Sequence, residues 1–172
     1  MSKEHLTASC RCGQVAFETT GKPIVSVSCH CRSCQEAGQQ FEQLPAAPVV
    51  LDSDGGTGFV LFRKDRVRCT NGSETLEEHR LKPGSPTRRV VATCCNSPMF
   101  LEFRDGHWLS LYRNRLPDGA VPLEMRVMTR DRRDGVELPG DVPNYSTHSG
   151  KFMWKLLAAW VAMGFSAPKV AP

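Results

Sequence analysis

Apolar and polar positions alternate in short bursts along most of the chain, which is the period-two signal of half-buried strands. The bursts predict strands at residues 6–9 and 14–20, separated by the turn Cys10-Arg11-Cys12-Gly13, where glycine supplies the backbone freedom a tight turn needs. Further strands are predicted at 24–28, 49–51, 59–62, 66–69, 88–93, 98–103, 108–112 and 123–128, with a turn over 54–58. Residues 75–81 fit a strand or a helix, and 35–40 a short helix or a loop. The Asp-, Gly- and Pro-rich stretch 131–149 reads as a long loop. The period then changes. Residues 151–165 are apolar almost all round, and Ser149 stands where a helix N-cap belongs. The pattern predicts a mainly β protein with a C-terminal helix. It divides into a β domain over 1–130 and a loop plus apolar helix over 131–172 that packs on the domain or lies at an interface.

Composition changes this picture little. The chain has 172 residues, 40% hydrophobic and 23% charged, enough for one ordinary globular core. Its net charge of +4 is scattered and not interleaved with aromatics, which argues against nucleic-acid binding. The densest basic run, Arg130, Arg132 and Arg133, is interrupted by Asp131 and Asp134 and reads as a solvated loop. No apolar stretch follows the first residues, so no export signal is expected. The apolar run 152–165 is short for a membrane span and holds Lys155. A cytoplasmic protein without membrane contact is expected, with its cysteines reduced or bound to metal.

Those cysteines carry the chemistry. Seven of the eight fall into Cys10-x-Cys12, Cys29-His30-Cys31-x-x-Cys34 and Cys94-Cys95, and only Cys69 stands apart. Thiolates two or three residues apart can turn onto one ion, and they are soft ligands of the kind zinc prefers. Cys10 and Cys12 form one pair, with Cys94 and Cys95 as its natural partner, giving a closed structural zinc that staples distant segments. Cys29, Cys31 and Cys34 offer three ligands and an open position, the arrangement of a catalytic zinc, which needs access and should be the more exposed of the two. His30 is expected to point away from its neighbours and to act behind the ligands. The plainer alternative is one structural site with the remaining cysteines idle.

The run Cys10-Arg11-Cys12-Gly13-Gln14-Val15-Ala16-Phe17, followed by Cys29-His30-Cys31-Arg32-Ser33-Cys34, resembles the glutathione-dependent formaldehyde-activating enzyme family, relatives of centromere protein V. Cys95-Asn96-Ser97-Pro98 resembles the family's last element, except that the preceding cysteine is the adjacent Cys94 and position 92 is Ala. Adjacent residues on a strand face opposite ways, so Cys94 and Cys95 can share an ion only if the chain turns sharply there. Asn96 replaces the family glycine and tolerates a left-handed backbone. The resemblance implies a zinc-stapled β fold, shared with methionine sulfoxide reductase B and a Rab-binding zinc chaperone. It also implies Cys10 and Cys12 as structural ligands, and Cys29, Cys31 and Cys34 as a catalytic set.

The implied activity is that of a carbon–sulfur lyase acting on the adduct of a small thiol, glutathione or similar, with an aldehyde. Arg32, Ser33 or His30 would orient the reactants. The alternative is a non-catalytic zinc-stabilised binding module working through residues 152–165, the same stretch that could form a homodimer. Thiol redox chemistry at Cys69 or Cys94-Cys95 is a third reading.

Overall fold

The computed structural model describes residues 4–170, and over them the alternating bursts become ten strands and two α-helices. In chain order these are β1 (His5–Ser9), β2 (Ala16–Thr20), β3 (Val25–Cys29), α1 (Arg32–Glu42), β4 (Thr57–Arg63) and β5 (Val67–Asn71). There follow β6 (Leu76–His79), β7 (Thr87–Ala92), β8 (Ser97–Phe103), β9 (Trp108–Tyr112), β10 (Met125–Val127) and α2 (Gly150–Ala162). β1, β2 and β5 form a three-stranded antiparallel sheet, and the other seven strands lie in the order β10-β3-β4-β9-β8-β7-β6. Every pairing in the large sheet is antiparallel except β10 beside β3.

Both faces of the large sheet are covered. Val60 and Phe62 on β4, Val90 and Ala92 on β7, and Phe100 on β8 face the small sheet and pack with Ala8, Val15 and Phe17. Phe17 meets Phe100 edge to face at 5.5 Å, a geometry worth about 0.5–1.5 kcal/mol beyond area burial. The alternate residues Phe59, Leu61, Val91 and Leu101 point the other way, onto Phe41 of α1 and Phe152 and Leu156 of α2. Burial on both faces is why 59–62 reads as an unbroken apolar run and not as a clean alternation. The mainly β class with a C-terminal helix holds.

Two local expectations change. The strand expected at 49–51 is a loop, because the Glu42 carboxylate accepts from the backbone N–H groups of both Val50 and Leu51 at 2.8 Å. A side chain thus satisfies donors that a sheet ladder would otherwise need to satisfy. The ambiguous segments resolve into β6 and into α1, which begins earlier than 35 and so carries Cys34 in its first turn.

α2 is apolar all round but buried on one side only. Phe152 and Leu156 enter the core, while Trp154 is 68% and Met153 55% exposed. The His107 ring donates to the Leu156 carbonyl at 2.7 Å, and Lys155 pairs with Glu124, so polar contacts fix the helix as well. The Ser149 hydroxyl accepts from the Phe152 N–H at 3.0 Å, the expected N-cap. Ser149→Ala should cost about 0.5–2 kcal/mol, read as a fall in melting temperature of a few degrees. An unchanged melting temperature would mean that the helix contributes little to global stability. Among the described residues no helix is long and apolar enough to cross a membrane.

Candidate metal centres

The β1–β2 turn folds tightly around Cys10. Gly13, at φ 80°, donates to the Cys10 carbonyl at 3.0 Å, and the Val15 N–H donates to the Cys10 sulfur at 3.3 Å. Residues with side chains avoid that backbone region, which accounts for the glycine. From the other side of the fold, β7 ends in a turn over Thr93–Asn96 before β8 begins. Cys95 N–H reaches back to the Ala92 carbonyl at 3.4 Å, and Asn96 is left-handed at φ 52°. This is the sharp turn that adjacent cysteines need, so both thiols swing to one side. Ser97 then joins the two segments, its hydroxyl accepting from the Arg11 N–H at 3.0 Å.

The result is a group of four thiols, Cys10, Cys12, Cys94 and Cys95, with all sulfurs within 4.8 Å of one another. Four of the separations are 3.5, 3.8, 3.4 and 3.9 Å. A tetrahedral ion bound by four sulfurs at about 2.3 Å would hold them about 3.8 Å apart. The donor set therefore fits a metal ion. Its charge is already uneven: burial works to raise the Cys95 thiol, but the Ser97 hydroxyl and Cys12 outweigh it and hold Cys95 at about 6. Burial and then Cys12 push Cys94 up to about 12. Metal binding would displace the remaining thiol protons.

The second group lies on the opposite face of the large sheet. β3 ends at Cys29, Cys31 is the N-cap of α1, and Cys34 sits in the first helical turn, so the helix start folds three thiols onto one point. Cys29, Cys31 and Cys34 all lie within 4.8 Å of one another, and no further His, Cys, Asp or Glu among the described residues joins them. Hydrogen bonds from Cys29 and then Cys34 hold the Cys31 thiol far below its ordinary value, helped by the Ser33 hydroxyl 3.3 Å away. Against the lowering effect of Cys29, the Cys31 contact and burial push Cys34 up to about 12. Three thiols thus share one readily formed negative charge.

The expected order of exposure is reversed. Cys12 of the four-thiol group is exposed, whereas none of Cys29, Cys31 and Cys34 is. The first group sits at the tip of a hairpin. The second forms part of the wall of an open cavity of about 470 Å³ between the sheet and α2. Cys29 and Cys31 are half-buried, Cys34 is buried, and the neighbouring Ser33 is exposed.

His30 turns away from the thiols, as an extended segment dictates. It is fully buried, with Nε2 3.8 Å from the Asp54 carboxylate, and burial pulls its pKa below the ordinary histidine value. Asp54 is held by Arg126 at 3.0 Å, which also binds Asp141 at 2.7 Å. Gly56 closes over this ring: a Cβ there would lie 2.3 Å from Ser28 Oγ and 2.7 Å from His30 Nε2. Arg32 is exposed, and Cys69 stays apart from both groups. Sequence reasoning missed Arg89, buried to 2% on β7, whose guanidinium donates to the Ser33 carbonyl at 3.2 Å and lies 3.9 Å from Cys34 Sγ. The alternation does not single it out: in Arg88-Arg89-Val90-Val91-Ala92, Arg88 shares a face with Val90 and Ala92 and Arg89 with Val91, and both faces are core.

Residues 5–47 match the family of the glutathione-dependent formaldehyde-activating enzyme. The resemblance carried by the first two cysteine motifs therefore holds. The matched segment runs from β1 through α1 and includes Cys10, Cys12 and all three thiols of the second group. It stops before Cys94 and Cys95. Comparison with curated proteins finds no match. Among solved structures, the chain is similar to a crystal structure of a Rhodobacter sphaeroides protein, at 16% identity and a TM-score of 0.49. The similarity covers 80% of this chain and 98% of that one.

Proposed function

We propose that the protein is a zinc-dependent carbon–sulfur lyase that forms or cleaves the adduct of a thiol with an aldehyde. The observation that carries this reading is the three-thiol group at the wall of a cavity, with no fourth ligand beside it among the described residues. Cys10, Cys12, Cys94 and Cys95 would hold a structural zinc, and Cys29, Cys31 and Cys34 a second zinc with a position left free. Zinc in such a site supplies a Lewis acid and lowers the pKa of a bound thiol or water. The chain's own groups then do the positioning. The Ser33 hydroxyl stays on Cys31, Arg89 fixes the Ser33 carbonyl against Cys34, and the sheet and α2 supply apolar walls to the cavity. His30, buried with both ring nitrogens free of hydrogen bonds and Nε2 3.8 Å from Asp54, lies between the ligands in sequence without touching the cavity.

Metal analysis together with adduct exchange tests this reading. Two zincs per chain, with accelerated exchange between a thiol, an aldehyde and their hemithioacetal, are expected. One zinc per chain and no acceleration across a panel of thiols would favour the non-catalytic module. The exposed aromatic side of α2, with Trp154 68% and Phe165 just beyond the helix 61% exposed, is the observation behind that second reading. Self-association lost on replacing Trp154 would support it.

A further inference from the structure

The cavity beside Cys29, Cys31 and Cys34 is too large and too apolar for a one-carbon aldehyde on a highly charged thiol. Val27, Phe59, Leu61, Leu101, Trp108 and Phe152 supply most of its wall, and Phe103 and Met153, 41% and 55% exposed, lie at its rim. At about 470 Å³ it has the size of a site for a drug-sized organic molecule. Apart from the cysteines, the ionisable groups on its lining are Arg89 and His148, and His148 is exposed and stacked on Phe152. Glutathione carries two carboxylates and an ammonium. Burying each without a partner costs several kcal/mol, and the lining offers one buried cation.

That cation has spare capacity. Arg89 is 2% exposed and makes no ion pair with a carboxylate among the described residues. One amino group of its guanidinium serves Ser33 and Cys34, while Nε is buried with no partner. A buried donor left unpaired is costly, and it is a natural receptor for an oxygen that a ligand brings. A cation held beside the Cys34 sulfur, in a largely apolar wall, is also where developing negative charge is well stabilised.

We propose that this site takes the aldehyde adduct of an apolar thiol, alkyl or aryl, with the organic group in the cavity and the adduct oxygen on Arg89. The inference rests on the lyase reading for its chemistry but not for its cavity. In the forward direction the thiol loses its proton to solvent, and the sulfur lone pair forms the C–S bond to the carbonyl carbon. The C=O π pair moves onto oxygen as an alkoxide beside Arg89, and a proton from solvent completes the hemithioacetal. In reverse, the alkoxide re-forms the carbonyl, the C–S bond breaks, and its electron pair leaves on sulfur.

The test uses zinc-loaded full-length protein, with benzyl mercaptan and glutathione as probes. Calorimetry should give benzyl mercaptan at least tenfold tighter binding than glutathione. Ser110→Phe, which fills the cavity from β9, should weaken benzyl mercaptan about tenfold or more with metal content unchanged. Should that variant not fold, Met153→Glu at the exposed rim should weaken the same binding while leaving the melting temperature near that of the parent. Arg89→Met should leave benzyl mercaptan binding within about threefold but slow hemithioacetal exchange about 10²–10³-fold, the loss typical of one oxyanion donor. Equal or tighter binding of glutathione overturns the substrate class and leaves the lyase reading standing. Unchanged exchange in Arg89→Met overturns the role of Arg89. Preferential binding of benzyl mercaptan without exchange of any thiol supports the cavity assignment and sinks the lyase reading.

Discussion

Replacing Cys10 by serine should lower the melting temperature by about 6–20 °C, and stripping the metal with a strong chelator should do at least as much. Cys10 is buried at the turn between β1 and β2, and its partners Cys94 and Cys95 lie between β7 and β8. A metal there ties the small sheet to the large one across more than eighty residues of chain. Structural zinc in small domains contributes about 10–16 kcal/mol of apparent binding free energy, which counts as folding free energy when the site exists only in the folded chain. Loss of one ligand in four that removes even a third of this is about 3–5 kcal/mol. In a chain of this length each kcal/mol shifts the melting temperature about 2–4 °C. Thermal melts of the variant and of chelated parent protein, followed by circular dichroism, check the expectation. Identical melts would mean that the four thiols do not hold the fold together, however well they are placed.

The four-thiol group was legible because its spacing is local chemistry. Cys10-x-Cys12 needs only a tight turn, and Gly13 announces one. The Cys94-Cys95 pair was harder, since a strand would splay the two thiols. Asn96 in a left-handed conformation resolves it, and asparagine was the one hint that the chain bends there. Helix α2 was read correctly as apolar, but the pattern could not say which side would be covered, because that depends on His107 and Glu124 from elsewhere in the chain. The cavity and Arg89 were the parts least visible. A cavity is a property of what does not fill space between β4, β8, β9 and α2, and no single segment encodes it. Arg89 sits in a run with Arg88, and only the register of β7 against β8 decides which of the two is buried. The misjudged exposure of the second site has the same origin. An open coordination position does not fix exposure, which is set by how the sheet and α2 pack around the three thiols.

Cys31→Ser should abolish adduct exchange and leave the fold intact, with metal content falling from two equivalents to one. Cys31 is the N-cap of α1, where its own side chain makes no capping hydrogen bond. Serine is among the preferred residues at that position, and its hydroxyl can accept a backbone N–H of the first turn. The substitution therefore removes a soft ligand while strengthening a local helix signal, so the fold should persist and the melting temperature should fall only by what the second metal contributed, less than in Cys10→Ser. Cys31 is also the thiol of the three that ionises most readily, held low by Cys29, Cys34 and Ser33. A neutral hydroxyl in its place leaves two thiols, of which Cys34 is buried and pushed up to about 12. Cys10→Ser should behave the opposite way, losing stability first and exchange only as the protein unfolds. The two variants compared in one experiment, melting temperature against exchange rate, separate the roles of the two thiol groups. Full exchange activity in Cys31→Ser, or a second metal equivalent retained, would sink the assignment of the three-thiol group as the reacting centre.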